Sequence, residues 1–357
     1  MPSKANGQAV LAYLGERWAA FFLLLLLVVF SLVGRNFFSI KNFSNILYFA
    51  TTYALLSAGE TFVIVTGGID LSVGFVMGFV GVSSAIVMRD MFAAHYSQAV
   101  CMVVGTLVGL AVGILPGLVN GFLVARLRVP PFIATLGMYG VANGVALALS
   151  QGFPIYFLPP RVQQIGNSFI AYAVPGRPLT FFQRPPDLKP DEIRALVGIV
   201  PGTVLVAAVI LLISWFVLKR TRFGQHTYAI GGSKDAALRS GINVPRHLTW
   251  IYVLSSVFAS LAGIIYVFRI GLGNFTTFNS SYELFAIAGV VIGGASLMGG
   301  KGSIGGALIG TLILMTLENG LNIVGIQAFF RYIATGLILI AAVMIDQFAL
   351  ERRSSFV

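Results

Sequence analysis

The stretch Gly59–Gly74, GETFVIVTGGIDLSVG, decides how the chain is interpreted, because it interrupts an apolar run that is otherwise long enough to cross a bilayer. Gly67 and Gly68 permit the backbone to turn, and Asp70 and Ser72 are residue types that satisfy free N–H groups at a helix N-terminus. We therefore expect two membrane helices that meet at a glycine-rich break, the second beginning near residue 71. Irregular backbone at membrane depth is tolerated only where it is buried in protein or lines a watery cavity. The break is thus a candidate for part of a translocation path.

The composition of the chain is that of a membrane protein. Of its 357 residues, 57% are hydrophobic and 10% are charged, and the mean hydropathy is +0.90. At about 20 residues per crossing, this length holds about ten helices and little soluble structure. We predict an all-α polytopic membrane protein with a single membrane domain over residues 1–357. We expect the excess of Lys and Arg behind the net charge of +11 to lie in cytoplasmic loops, where it orients the spans. The expected partner is therefore membrane lipid and not nucleic acid.

Apolar segments separated by polar loops are the predicted spans. Their predicted bounds are 18–33, 44–66, 71–88, 98–124, 132–150, 196–218, 248–267, 282–298, 304–317 and 332–345. An even number of spans places both termini on one side, and the distribution of Lys and Arg places that side in the cytoplasm. The proline-rich segment 151–195 is the predicted long periplasmic loop, and the basic segment 219–247 is the predicted cytoplasmic loop.

A second glycine-interrupted run, Ile287–Gly306, reads IAGVVIGGASLMGGKGSIGG and echoes the first. Internal repeats are common in transporters, so a structural repeat of two halves remains open. The GGKGS at Gly299–Ser303 does not fit a phosphate-binding loop, because Ala295 stands where that motif needs its first glycine and Gly302 where it needs Ser or Thr. We interpret it as a tight cytoplasmic turn.

Polar residues inside the spans are the candidates for the path. An ionisable group at a helix centre costs on the order of 2.5–3.5 kcal/mol by insertion scales, so such groups point to function. Two interpretations of Glu60 remain open. Its side chain either faces a substrate path or accepts hydrogen bonds from neighbouring helices. A structural cap is favoured for Asp70, and solvated span ends are favoured for Glu283 and Glu318. The candidate path residues are Glu60, Thr61, Thr66, Gly67, Gly68, Asp70, Ser72, Asn120, Thr135, Tyr139 and Asn143.

The sequence shows no catalytic constellation. His95, His226 and His247 fall in separate loops without the spacing of metal ligands, and no Ser/His/Asp or Cys/His grouping is visible. We predict no cofactor and no metal, and we expect a protein that is not itself an enzyme.

Several stretches resemble one family. GETFVIVTGGIDLSVG is similar to the signature of the membrane permeases of bacterial ABC importers for monosaccharides of the ribose, galactose and xylose type. Three further stretches, in the expected order, extend the resemblance along nearly the whole chain: RVPPFIATLG at 128–137, KRTRFGQHTYAIGGSKDAALRSGINV at 219–244 and VVIGGASLMGGKGSIGGALIG at 290–310.

The resemblance implies a permease subunit that forms the path for a monosaccharide. A periplasmic or lipoprotein binding protein would deliver the sugar, and a separate ABC ATPase subunit would drive transport. The resemblance also implies a second permease subunit, in a homodimer or heterodimer, and a location in the bacterial cytoplasmic (inner) membrane. The alternative that the residues leave open is a stand-alone ion-coupled secondary transporter, in which Glu60 or Asp70 carries protons.

Importer permeases dock on their ATPase through a short cytoplasmic helix, often patterned EAA followed by three residues and glycine. Asp235–Gly241 is similar to that pattern, with aspartate in place of glutamate, and the predicted helix covers residues 234–240. The predicted coupling residues are Gly231, Gly232, Asp235, Ala236, Ala237, Arg239 and Gly241.

Overall fold

A computed structural model describes residues 18–275 and 281–331 of the chain, with a few further residues between 333 and 344. The N-terminal tail before residue 18, the C-terminal tail and most of the predicted span 332–345 lie outside the described residues.

The described chain is mainly helical, with a small sheet between two of the long helices. In chain order the elements are α1 (Trp18–Val33), α2 (Ile40–Val65), α3 (Val73–Ala93), α4 (Gln98–Ala125), α5 (Pro131–Ser150), α6 (Pro160–Gly166), β1 (Phe169–Ala173), β2 (Thr180–Phe181), α7 (Pro190–Ala195), β3 (Val197–Pro201), α8 (Gly202–Arg220), α9 (Arg222–Gly232), α10 (Lys234–Arg239), α11 (Val244–Ile270), α12 (Tyr282–Ile292) and α13 (Ile304–Ile323).

Within the described residues, seven helices are long and apolar enough to cross a membrane, namely α2, α3, α4, α5, α8, α11 and α13. Helices α1 and α12 are apolar but shorter, with 16 and 11 residues. The predicted count of about ten spans is therefore not confirmed. The predicted span 282–298 is shorter than predicted, because α12 ends at Ile292 and the chain turns at Gly293 and Gly294, where Gly294 has a φ of +89°.

The predicted periplasmic loop is folded, and its sheet corrects the prediction of an all-α chain. Strand β1 pairs antiparallel with β2 on one side and β3 on the other. Residues 197–201 were predicted as the start of a helix, but these largely β-branched residues extend and pair with Phe169–Ala173. Helix α8 consequently begins at Gly202.

Helix α11 lies at the centre of the domain, where it packs against α2, α3 and α4. Glycines of α4 allow its backbone to lie close to α11. A Cβ on Gly113 would lie 1.8 Å from Ser260 Oγ, and a Cβ on Gly117 would lie 2.6 Å from the Tyr252 carbonyl oxygen. Small residues at such an interface allow helix backbones to pack closely in a membrane, which fixes α11 against α4.

Candidate functional site

The predicted break between the second and third spans is present as residues 66–72, between α2 and α3. Its turn is held by backbone hydrogen bonds, since the Gly67 N–H donates to the Ile64 carbonyl at 2.8 Å and the Gly68 N–H to the Val63 carbonyl at 3.1 Å. Gly67 has a φ of +78°, a conformation that L side chains rarely adopt. The paired glycines therefore make the turn sterically possible.

Asp70 joins the break to the central helix. Its Oδ1 accepts from the Ser72 N–H at 3.0 Å and from the Ser72 hydroxyl at 2.5 Å, and its Oδ2 accepts from the Ser255 hydroxyl of α11 at 2.9 Å. The Asn120 amide of α4 donates to Ser72 Oγ at 3.0 Å. Ser72 precedes α3 at the N-cap position but makes no capping bond, and the helix begins at Val73, two residues later than predicted. Asp70 thus stabilises the break rather than the first turn of α3.

A group of carboxylates lies beside this network in the interior of the domain. Glu60 is fully buried on α2 and lies near Asp70, and neither of its oxygens has a partner within hydrogen-bonding geometry among the described residues. Glu283 was predicted to lie at a solvated span end, but it is only 8% exposed, and a Cβ on Gly74 would lie 2.3 Å from its Oε2. The start of α12 therefore meets α3 immediately after the break, and Glu60 lies near both Asp70 and Glu283.

The remaining predicted path residues separate into two groups. Thr135 of α5 lies within hydrogen-bonding distance of the break, with Oγ1 3.2 Å from the Ile69 carbonyl oxygen. The hydroxyls of Thr61 and Thr66 instead donate within their own helix, to the carbonyls of residues 57 and 63. Tyr139 packs on the Phe75 ring, and Asn143 lies two turns of α5 beyond Thr135 and is partly exposed. Of these five residues, Thr66 belongs to the break itself, and Thr135 is the one whose side chain contacts it from another helix.

The cytoplasmic loop predicted at 219–247 contacts the end of α2, immediately before the break. A Cβ on Gly231 would lie 1.8 Å from the Val65 carbonyl oxygen and 2.5 Å from the Gly300 nitrogen, and the Gly300 N–H donates to the same carbonyl at 2.8 Å. A Cβ on Gly299 would lie 2.9 Å from the Gly67 nitrogen. We call these contacts among Val65, Gly67, Gly231, Gly299 and Gly300 the glycine junction. The ends of α2 and α9 and the turn before α13 meet there through their backbones.

Helix α9, which sequence reasoning missed, brings Gly231 to the junction. The prediction contained one short helix with glycines at both ends, whereas the chain forms α9, ending at Gly232, and then α10. The Tyr228 hydroxyl of α9 donates to the Gly302 carbonyl at 2.7 Å. Burial raises the pKa of the Tyr228 phenol above its usual 10.0, so the group remains a donor at neutral pH.

Helix α10 has the form expected of a docking helix. Ser233 caps it by accepting from the Ala236 N–H at 3.2 Å, and Ala237 is buried in a small apolar cluster with Ile230 of α9 and Leu248 of α11. Leu238 is 52% exposed. The other predicted coupling residues around this helix, Asp235, Ala236, Arg239 and Gly241, are exposed. One face of α10 is therefore anchored to the domain, and the remainder faces outward.

Comparison with known proteins identifies the family. Residues 42–345 match the family described as branched-chain amino acid transport system / permease component. The chain is 38% identical to the ribose import permease protein of Bacillus subtilis (strain 168) over 327 residues, which cover 91% of this chain and 90% of the relative. It is 36% identical to the ribose import permease protein of Escherichia coli (strain K12) over 335 residues, 94% of each chain. The D-allose transport system permease protein of Escherichia coli (strain K12) is 33% identical over 334 residues, 93% of this chain and 92% of the relative. No solved structure matches the chain.

The long apolar helices are those of a multi-pass membrane protein, and the family match identifies it as a permease. The chain belongs to the permease family that its residues 42–345 match, and it is a protein of the bacterial cytoplasmic membrane. The predicted resemblance to importer permeases is thereby confirmed. None of the relatives named here supports a stand-alone secondary transporter.

Proposed function

We propose that the chain is the permease subunit of an ATP-driven importer for a neutral monosaccharide, and that it forms the translocation path without hydrolysing ATP itself. An ABC ATPase subunit drives the cycle, and an extracytoplasmic binding protein delivers the sugar. A second permease subunit, identical or related, completes the path. The family description names branched-chain amino acids, but the relatives at 33–38% identity are named for ribose and allose, which favours a sugar.

The observation that carries this proposal is the glycine junction. Helix α10 offers an exposed face to an ATPase, and α9, next to it in the chain, touches the end of α2 through Gly231. Backbone-to-backbone contacts contain no flexible side chain that could absorb a displacement. A movement of α10 and α9 on ATP binding would therefore shift the break and the turn at Gly299–Gly300 together, which is a physical basis for alternating access.

The sidedness follows from charge. Helix α8 ends in Lys219 and Arg220, Arg222 opens α9, and Arg239 lies on α10, which places the junction in the cytoplasm by the positive-inside rule. Both termini are cytoplasmic in this proposal, which takes 18–33, 282–298 and 332–345 as membrane crossings in addition to the seven long helices. The folded segment 151–201 lies on the opposite side in this arrangement, where its sheet makes it a rigid surface for the binding protein.

The path itself runs beside the break in this proposal. Glu60, Asp70, Ser72, Asn120 and Thr135 lie close together there, and Thr61, Thr66, Tyr139 and Asn143 flank them. Most of these polar groups are already paired within the protein, which suits weak, transient hydrogen bonding to a neutral solute. Glu60 retains two acceptor oxygens for sugar hydroxyls when the break opens.

Reconstitution into proteoliposomes tests the proposal. The permease is combined with the ATPase and binding protein encoded beside it, and uptake of labelled ribose, xylose, allose and leucine is measured with ATP and with ADP. We expect uptake of at least one monosaccharide that requires ATP and every component. Leucine uptake without sugar uptake would assign the amino-acid substrate of the family description. Uptake by the permease alone on an ion gradient would establish the secondary transporter instead.

A further inference from the structure

A cavity of about 570 Å³ lies at the end of α2 opposite to the glycine junction. Its described lining includes Thr52, Tyr53, Tyr282, Glu318, Asn319 and Arg331. Thr52 precedes Thr66 by about 21 Å along the helix axis. The volume falls within the range of small-molecule pockets, roughly 300–1,000 Å³. If the junction is cytoplasmic, this cavity lies on the side where the sugar arrives.

The packing of α2 against α13 explains why these residues meet. The Thr311 hydroxyl of α13 donates to Ser57 Oγ of α2 at 3.0 Å, which fixes how the two helices are aligned. Both helices contribute lining residues to the cavity. On each helix these residues lie on the same side of the Thr311–Ser57 hydrogen bond, toward the end of the domain that holds the cavity. Thr52 lies more than one turn before Ser57, and Glu318 and Asn319 lie about two turns after Thr311. The sequence separation conceals this meeting, which is why neither motif nor composition indicated a site here.

One wall of the cavity is aromatic. The rings of Tyr53 and Tyr282 stack with centroids 4.8 Å apart, and the Tyr266 ring meets Tyr282 edge-on at 6.1 Å. Such rings present a flat apolar surface and carry polar hydroxyls at their ends. A sugar ring has the matching properties, because its C–H groups pack on the aromatic face while its hydroxyls turn toward polar groups.

The other wall carries acceptors without partners. Thr52 is 2% exposed, and its Oγ1 has no hydrogen-bond partner among the described residues. Glu318 Oε2 and Asn319 Oδ1 are also buried and have no partner in that part of the chain. Buried polar atoms are ordinarily hydrogen-bonded, so several unpaired acceptors in one cavity indicate a ligand or water that donates to them.

The charges of the described lining favour a neutral ligand. Arg331 lies 3.3 Å from Glu318 Oε1 and donates from Nη1 to Asn322 Oδ1 at 2.7 Å. The Arg269 guanidinium lies 3.8 Å above the Tyr48 ring. Both cations therefore have neighbours, and Arg331 is paired in charge with Glu318 although its Nε makes no hydrogen bond within the described residues. An anionic ligand would have to compete with Glu318 for Arg331.

We propose that this cavity binds a neutral monosaccharide after its release by the binding protein and before it reaches the break. The proposal rests on the proposed function and adds a specific site to it. The aromatic wall orients the ring of the sugar. Thr52, Glu318 and Asn319 accept hydrogen bonds from its hydroxyls, and affinity is low because the site must also release the sugar inward.

The test compares neighbouring threonines on α2. Thr52→Val removes the hydroxyl in the cavity, and Asn319→Leu removes an acceptor on the facing helix. Thr51→Val is the matched control, because the Thr51 hydroxyl donates to the Leu47 carbonyl at 2.9 Å and Thr51 lines an apolar groove between α2 and α8 instead. Saturation-transfer NMR measures binding of ribose, xylose, allose and leucine to the assembled permease–ATPase complex without the binding protein. ATP hydrolysis stimulated by the sugar-loaded binding protein verifies assembly.

We expect a monosaccharide to bind the wild-type complex and the Thr51→Val variant equally. Affinity should fall roughly 3- to 10-fold in Thr52→Val and in Asn319→Leu, the effect of one lost hydrogen bond. Equal binding to all four proteins would overturn the site. A complex that imports the sugar but shows no binding would mean that the cavity holds only water, and the proposed function would stand. Absence of monosaccharide import by the complete wild-type system would refute the proposed function instead.

Discussion

At the scale of single residues, Asp70 is the side chain that connects the break to its surroundings. It accepts from the backbone and hydroxyl of Ser72 and from the hydroxyl of Ser255, while Asn120 donates to Ser72 in turn. These bonds tie the beginning of α3 to α11 and α4. The shape of the break therefore depends on Asp70 as an acceptor more than on its charge.

Substitution of Asp70 separates these two properties. Asp70→Ala leaves buried donors unpaired and should lower the free energy of unfolding by about 1–3 kcal/mol. Asp70→Asn keeps an acceptor oxygen for Ser72 and can donate to Ser255, so its loss should stay below about 1 kcal/mol. Thermal unfolding of the detergent-solubilised protein compares the two variants. Equal destabilisation of both would show that the charge, rather than the hydrogen-bonding pattern, holds the break.

The roles of residues in the break could be predicted where they depend on neighbours in the sequence. Gly67, Gly68 and Asp70 stand within a few positions of one another, so their turn and cap chemistry is visible in the sequence. Ser255 was not, because it is separated from Asp70 by 185 residues and is one hydroxyl among many in an apolar helix. Glu283 was misjudged for a related reason. Its position near a helix start suggested solvent, and only the packing of α12 against Gly74 buries it.

At the scale of elements, the segment between α5 and α8 was predicted only as an exposed loop. Hydrogen bonds within the segment give it a defined structure. Arg177 donates to Glu192 from Nε at 2.8 Å and from Nη2 at 2.7 Å. The Lys189 N–H donates to the same carboxylate at 2.8 Å. These bonds link the connection after β1 to the start of α7, immediately before β3, and so brace the sheet.

This brace predicts a pH dependence. Hydrogen bonds from the Lys189 backbone and from Arg177 hold the pKa of Glu192 below its usual 4.5. A lowered pKa in the folded state means that the stabilisation is present above about pH 4.5 and is lost as the pH falls through the folded value. Hydrogen exchange of the β1 amides, corrected for intrinsic rates, should show constant protection from pH 7 to about 5 and a decline below about 4.5.

Glu192→Gln is the control for this dependence. Glutamine cannot titrate, so the β1 amides of the variant should be less protected than those of the wild type at neutral pH. Their protection should not show the decline that protonation of Glu192 causes in the wild type. Parallel curves for the two proteins would assign any acid sensitivity to other groups.

Elements were predicted well where their pattern is long and poorly where it is short. The long apolar helices α2, α4, α5 and α11 were predicted within a few residues at each end. Strand β3 was read as the start of α8, because a short run of β-branched residues next to a longer apolar run has no periodicity of its own. Helix α9 was missed because its glycines indicated an end to structure, whereas Gly231 makes the close contact with the end of α2.

At the scale of the whole molecule, the sites lie along one helix. The cavity lined by Thr52 lies toward one end of α2, the glycine junction lies at the other end, and Glu60 lies on the helix between them. The sequence allowed the class and the break to be predicted. It could not reveal that the two glycine-rich runs touch, since the hydrogen bond from Gly300 to Val65 depends on the packing of α13 and α12 against α2. Through that contact the two glycine-rich motifs form a single junction. The structural repeat of two halves remains a prediction.

The most direct test of the account is a comparison of Gly231→Ala with Gly232→Ala in the reconstituted transporter, measured as sugar molecules imported per ATP hydrolysed. A Cβ on Gly231 would lie 1.8 Å from the Val65 carbonyl oxygen, whereas a Cβ on Gly232 meets none of the described residues within 4 Å. Both changes add one methyl group at the end of the same helix. We expect Gly231→Ala to retain ATP hydrolysis and to lose most sugar import, and Gly232→Ala to match the wild type in both. Normal import per ATP in Gly231→Ala, or the same loss in both variants, would contradict the claim that the junction transmits the motion of the ATPase to the break.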